Sequence, residues 1–235
     1  DDLALKIGVD QYDHHRIQAA IVYALKEACF QDGSTYHNYE TIVKRFHRYI
    51  PQIDDESFEA AFTDVLEQNK IIQEEDRYYP YELYQSEINI SQIFKRWLHT
   101  PLYDIDSKDI DKILEDLEKE LFIEYDDFQK EAIKLFMEHS AMIITGGPGT
   151  GKTTIVNAMI KIYQRLNPDQ RLAIVAPTGR AAKRLSEVTG VEACTIHRLL
   201  KWDLHTNTFA VNEKNPLDVD LLIIDEFSMV DSLLF

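Results

Sequence analysis

Apolar residues recur at helical spacing through the first half of the chain. Ile17, Ile21, Leu25 and Ala28 predict one helix over residues 13–31, with Gly33 as its stop. Asn38 is placed to cap a second helix running to Tyr49, ended by Pro51. A third, over 54–68, carries Phe58, Phe62, Val65 and Leu66 on one face. Ile71 and Ile72, a polar turn at 73–77, and Tyr78 and Tyr79 predict a small hairpin. The helical pattern resumes over 81–98 and stops near Pro101. Residues 107–121 form a very acidic helix whose stripe is Ile110, Ile113, Leu114 and Leu117; the simplest expectation is a solvated connector.

From Phe128 the pattern changes. A helix over 128–138 leads to an apolar strand, Ala141–Thr145, then a glycine-rich turn and a helix over 152–166. Strand Leu172–Ala176 precedes a helix over 179–188 that Gly190 can terminate. A short helix near 195–201, a hairpin over 206–213 and a buried strand, Leu221–Asp225, complete the series. Strands alternating with helices predict a parallel α/β sheet covered on both faces. Four regions follow: 1–33, the end of an earlier region with the first helix; 34–100, whose helix–helix–hairpin order is winged-helix-like; an acidic linker, 101–127; and an α/β domain, 128–235. Winged-helix modules put a helix in a DNA groove or contact proteins, and the second and third helices here are not strongly basic.

Composition changes this picture little. The 235 residues, 45% hydrophobic and 11% aromatic, are enough for one large or two modest domains. No apolar run approaches the roughly 20 residues of a membrane span. The N-terminus lacks a basic-then-apolar leader pattern, and the two cysteines, Cys29 and Cys194, have no paired spacing. The expectation is a soluble, cytoplasmic protein with free thiols. Charge matters more. The net charge of −16 argues against a polyanionic partner, yet residues 141–201 hold nine Lys/Arg against three acids, a local net of +6.

The sharpest chemistry lies in Gly146-Gly147-Pro148-Gly149-Thr150-Gly151-Lys152-Thr153, followed by Thr154. This is a complete phosphate-binding loop in its required context, strand before and helix after. Glycines let successive N–H groups face phosphates at a helix N-terminus. Lys152 supplies a charge for the β- and γ-phosphates, and Thr153 a hydroxyl for Mg2+. The strand Leu221–Ile224 ends in Asp225 and Glu226. Asp225 is the candidate for holding Mg2+ and Glu226 for activating a water, which predicts ATP hydrolysis rather than transfer. Gln129, 23 residues before Lys152, offers both donor and acceptor for an adenine edge. Pro177, Thr178, Arg180 and Lys183 follow the second strand, a Thr-then-basic opening that suits a phosphodiester backbone. Thr195, His197 and Arg198 form the next cluster; a packed histidine is the bland reading of His197.

These stretches together closely resemble the RecD-type DNA helicases of superfamily 1, most of all the long, stand-alone kind. The carriers are I-T-G-G-P-G-T-G-K-T-T, A-P-T-G-R-A-A-K-R-L-S-E-V-T-G, T-I-H-R-L-L, N-P-L-D-V-D and L-L-I-I-D-E-F-S-M-V-D. The match is tight over 128–235 and looser over 10–100. The resemblance implies a RecA-like first motor domain preceded by a winged-helix-like domain, with residues 1–33 closing a helix-hairpin-helix region around Leu3–Asp10. It implies an ATP- and Mg2+-dependent 5′-to-3′ translocase in DNA repair or recombination, monomeric, acting on single-stranded DNA and duplex junctions. By residue, it implies adenine contact at Gln129, phosphate contact from Gly146 to Thr154, and the metal and water pair at Asp225 and Glu226. Pro177, Thr178, Arg180, Lys183, Thr195, His197 and Arg198 would face the DNA or support that face. Ala176 and Pro177 stand where many superfamily 1 helicases place an aromatic, so backbone contact is favoured over stacking there.

Family members continue with a coupling motif, a second motor domain and an arginine reaching the γ-phosphate; the chain's last residue is Phe235, so the expectation is a fragment with little turnover alone. An AAA+ ATPase has a similar loop but lacks Gln129 and the A-P-T-G-R-A-A segment. A winged-helix module with a degenerate ATPase is disfavoured by intact Lys152, Thr153, Asp225 and Glu226. A conjugative relaxase helicase would carry a metal-binding histidine cluster, whereas His14-His15 is an isolated pair.

Overall fold

In a computed structural model, which describes residues 8, 10, 12–99, 107–147 and 149–235, the first amphipathic run folds as α1 (His14–Asp32). Asp13 caps it, accepting from the amides of His15 and Arg16. Most of the Leu3–Asp10 segment lies outside the described residues. The chain divides into two units, one reaching to Gln92 and one from Ile93 to Asp231, with Ser232–Phe235 grouped with the first.

The first unit continues with α2 (Tyr39–Phe46), α3 (Asp55–Glu67), an antiparallel hairpin β1 (Ile71–Glu74) and β2 (Arg77–Pro80), and the start of α4 (Tyr81–Leu98). Asn38 and Asp54 cap α2 and α3 through the amides of Thr41 and Ser57. Helix α2 stops three residues short of its expected end: the amides of Arg48 and Tyr49 turn back to Arg45 and Phe46, a tightened last turn. Ile17, Ile21 and Leu25 of α1 share one core with Ile42, Phe46, Phe58, Phe62, Val65 and Ile71. The first helix therefore belongs to this unit's core. An isolated bridge, His37 with Tyr78, adds a third short segment to the hairpin. The buried polar exception, Gln18, donates to Asp64 at 3.0 Å and accepts from Lys70 at 3.4 Å.

In the second unit, α5 (Ser107–Leu121), α6 (Asp127–Glu138) and α7 (Lys152–Leu166) share a core. Ile110, Leu114 and Leu117 pack with Tyr125, Ile133, Met137, Ile155, Met159 and Ile162. The acidic helix is thus a wall of this unit, not a solvated connector. Its outer carboxylates meet cations of α6, Asp111 with Lys134 at 2.6 Å and Glu118 with Lys130 at 2.9 Å.

The sheet is parallel, in the order β4 (Ala193–Thr195), β3 (Leu172–Ala176), β7 (Leu221–Ile224). Ile174 lies beside Ala193 on one side and Ile223 on the other. Helices α7 and α8 (Gly179–Thr189) cover it, with Ile160, Ile174 and Leu185 at the contact. The expected strand at Ala141–Thr145 does not form. Its apolar pattern is right for a strand, but a strand exists only through a ladder partner, and none of the sheet's pairs involves these residues. Met142 and Ile144 pack against the helical core, and Ile143 is 72% exposed. After β4 come α9 (Ile196–Leu199) and a hairpin of β5 (Trp202–Asp203) and β6 (Thr208–Phe209), which begins earlier than the sequence suggested. Among the described residues, no helix is long and apolar enough to cross a membrane.

Candidate functional site

The glycine-rich loop ends where α7 begins. Its cap, Gly151, has φ 81° and no side-chain cap bond, so the first-turn amides of α7 are left for a ligand. A Cβ at Gly151 would meet the Gln129 amide nitrogen at 2.8 Å, and one at Gly146 would meet the Thr150 hydroxyl at 2.8 Å. A side chain at either position would displace its neighbour, and Gly151 is favoured by its left-handed backbone as well. The Thr150 hydroxyl donates to the Gly147 carbonyl at 2.9 Å. The Lys152 ammonium donates to the carbonyls of Gly146 and Gly147, each at 2.7 Å. The lysine is folded over the loop, within reach of anything the loop cradles. Pro148 lies outside the described residues. Thr153 and Thr154 sit half-buried in the first turn of α7.

Gln129 is tied to its own helix. Its amide donates to the Asp126 carboxylate at 2.9 Å, and its side-chain carbonyl accepts from the Asp126 amide at 3.1 Å. This is a capping box. The acceptor end is therefore occupied, and the NH2 end is the one turned toward Gly151. The spacing Asp126-x-x-Gln129 carried this information in the sequence.

Three segments leave the sheet at one edge, because β3, β4 and β7 are parallel and their C-terminal ends coincide. Pro177 and Thr178 follow β3, Thr195 closes β4, and Asp225 and Glu226 follow β7. The Asp225 amide donates to the Val175 carbonyl at 2.9 Å, which continues the ladder one residue past the strand. The Glu226 amide donates to the Asp225 carboxylate at 2.9 Å, and Glu226 itself has φ 52°, a left-handed conformation that a non-glycine residue adopts at some cost. Asp225 is half-buried and Glu226 exposed.

Thr178 and Thr195 play the same local part. Thr178 accepts from the Ala181 amide to cap α8, and Thr195 from the Arg198 amide to cap α9, both at 3.2 Å. Each hydroxyl keeps its O–H for another acceptor. Gly179, Lys183, Ser186, Glu187, Thr195 and Arg198 are among the residues that line an open groove between α8 and β4. Lys183 and Arg198 pair loosely with Glu187 and Glu192, at 4.0 and 3.9 Å, in exposed positions where such pairs are weak. His197 is not one of the groove's lining residues. Its ring faces Trp202 at 5.9 Å and Phe209 at 5.7 Å, two aromatics the sequence reading did not single out. Their position at the two ends of a polar loop was the available signal.

The residues fit a magnesium–nucleotide. Glycines that a Cβ would crowd, an uncapped helix start and an ammonium folded over the loop suit a polyphosphate. Mg2+ characteristically takes one or two carboxylates with substrate phosphates and water. Among the described residues no group of three or more His, Cys, Asp or Glu forms a metal cage.

Comparison with known proteins agrees with this architecture. An AAA domain family model matches residues 129–235, and the model of the ATP-dependent RecD2 DNA helicase HHH domain matches residues 1–36. The ATP-dependent RecD2 DNA helicase of Deinococcus radiodurans is 30% identical over 231 residues, 93% of this chain and 31% of that protein. The RecBCD enzyme subunit RecD of Haemophilus influenzae is 34% identical over 177 residues, 65% of this chain and 27% of that one. The corresponding subunit of Mycolicibacterium smegmatis is 36% identical over 124 residues, 43% and 22%. The chain spans less than a third of the length of these relatives.

Proposed function

We propose, for a chain that belongs to the RecD-like helicases, that it forms the nucleotide-binding part of an ATP-driven DNA helicase working 5′ to 3′ on single strands, in repair or recombination. The observation that carries this is the phosphate loop seated on the uncapped start of α7, in the same unit as a parallel strand that ends in Asp225 and Glu226.

Lys152 and the loop amides bind the phosphates. Bound Mg2+ would neutralise charge on the β- and γ-phosphates, with Thr153 and Asp225 as its protein partners. Glu226 orients and deprotonates the attacking water. Gln129 reads adenine through its NH2 end, or through both ends when it leaves the capping box. Pro177, Thr178, Arg180, Lys183, Thr195 and Arg198 line the DNA strand's path along the sheet edge, where the free hydroxyls of the two threonines donate to phosphates. Residues 34–100 act as a winged-helix-like support. That region holds 12 acids against seven Lys/Arg, a net of −5, which favours a protein contact there over a DNA one.

The polarity is tested with the intact protein on duplexes carrying a single tail. Unwinding from a 5′ tail is expected. Unwinding only from a 3′ tail overturns the polarity.

A further inference from the structure

The capping box at the start of α6 fixes which half of the Gln129 side chain can meet a base. The box is reciprocal. The Asp126 carboxylate accepts from the Gln129 backbone amide at 2.9 Å, and the Gln129 side-chain carbonyl accepts from the Asp126 backbone amide at 3.1 Å. A backbone N–H can only donate, so the oxygen of Gln129 is the atom that meets it, and the NH2 group points the other way. That NH2 group lies beside Gly151, the last glycine of the phosphate loop, 2.8 Å from where a Cβ would stand. Among the described residues it donates to no acceptor, and Gln129 is only half-buried. The structure therefore holds one donor, with its acceptor partner already spent, next to the cradle for the phosphates.

A free glutamine amide reads adenine with both ends: the NH2 donates to N7, and the carbonyl accepts from the N6 amino group. The same carbonyl repels guanine, which carries the acceptor O6 in place of that amino group. Selectivity for adenine over guanine thus resides in the carbonyl. With its carbonyl held by Asp126, Gln129 keeps only the donor. N7 is an acceptor in adenine and guanine alike, whereas cytosine presents an amino donor on the corresponding edge. We propose that the Asp126 backbone amide, by occupying the Gln129 carbonyl, makes the nucleotide site a reader of purine N7 that takes ATP and GTP with closely similar affinity. Asp126 is a positioning residue in this arrangement, because it acts on the base only through Gln129. The proposal rests on reading Gln129 as the residue that contacts the base.

The test is calorimetric titration of the intact protein, with Mg2+, against ATP, GTP, CTP and an ATP analogue that has carbon in place of N7. ATP and GTP are expected to bind within about threefold of each other. CTP and the analogue are expected to bind about fivefold more weakly, the loss of one hydrogen bond. Gln129→Met keeps the length of the side chain without its donor. It is expected to bring ATP and GTP down to the level of CTP, with CTP itself changed less than about twofold. Asp126→Pro has no N–H, and the φ of −71° at this position accommodates it. It frees the Gln129 carbonyl and is expected to raise the preference for ATP over GTP to about fivefold or more. Asp126→Ala removes the carboxylate but not the amide and leaves the two purines level. Should the unaltered protein bind ATP more than about fivefold tighter than GTP, the inference is overturned and Gln129 stands as a two-ended adenine reader. If Gln129→Met leaves the four affinities unchanged relative to one another, Gln129 does not meet the base, and the reading beneath the inference fails with it. An ATP-to-GTP ratio that Asp126→Pro does not move overturns the part given to Asp126. If Asp126→Pro does not fold, the four nucleotides on the unaltered protein and on Gln129→Met decide the question by themselves.

Discussion

At Gly151 two demands meet: a left-handed backbone at φ 81° and a neighbour 2.8 Å from where a side chain would begin. Gly151→Ala is therefore expected to lose nucleotide binding with a modest stability cost, about 1–3 kcal/mol for the strained backbone. Calorimetric titration with ATP, set beside a thermal melt, separates the two effects; undiminished binding contradicts the assignment. The neighbour is Gln129, so the candidate base-reading residue lies beside the phosphate loop. The loop was legible in the sequence because its glycines and lysine are consecutive and each has a backbone reason to be there. Gln129 was legible as a position, but its engagement with Asp126 came only with the fold. The cluster of His197, Trp202 and Phe209 was not legible: Trp202 and Phe209 are seven residues apart, and only the hairpin register brings their rings together.

At the scale of elements, α5 is the clearest case. Its 15 residues read as an acidic, solvated connector, yet Ile110 and Leu117 are fully buried against α6 and α7. Leu114→Ala is expected to cost about 2–5 kcal/mol, the usual range for a truncated core leucine. On a solvated connector the same change would stay within about 0.5 kcal/mol. Urea unfolding monitored on the second unit distinguishes these outcomes. The helix and its buried stripe followed from periodicity. Its partners did not, because periodicity gives a face and not what the face meets. The reverse error occurred at Ala141–Thr145, where a correct apolar pattern lacks a paired strand. Strand formation depends on a non-local neighbour, whereas helices α1, α3 and α7 carry their hydrogen bonds within themselves and match expectation to within a residue or two.

Charge is the property that belongs to the whole molecule. Asp54, Asp64, Glu118 and Asp220 are all held below their ordinary values. The causes are the Ser57 amide, His14, the Tyr125 amide and the Arg171 amide respectively. A carboxylate depressed in the folded state binds fewer protons there than when unfolded. Its contribution is present in full above its ordinary value, 3.8 for Asp and 4.5 for Glu, and is lost as pH falls through the depressed folded value. Melting temperature is therefore expected to hold near neutrality and to fall below about pH 4.5; a flat profile down to pH 3 contradicts this. The opposite charge, concentrated in residues 141–201, predicts DNA binding that weakens steeply with salt, and Arg198→Ala is expected to reduce the log–log slope by about 1.

All of these effects serve one claim, that the loop from Gly146 to Thr153 powers work on DNA. The most direct measurement is the ATPase rate of the intact protein, with and without single-stranded DNA, beside that of Lys152→Ala. The account predicts a rate raised by single strands and lowered on the order of 10²-fold or more by the substitution. An ATPase that Lys152→Ala leaves unchanged, or that single-stranded DNA fails to stimulate, contradicts it.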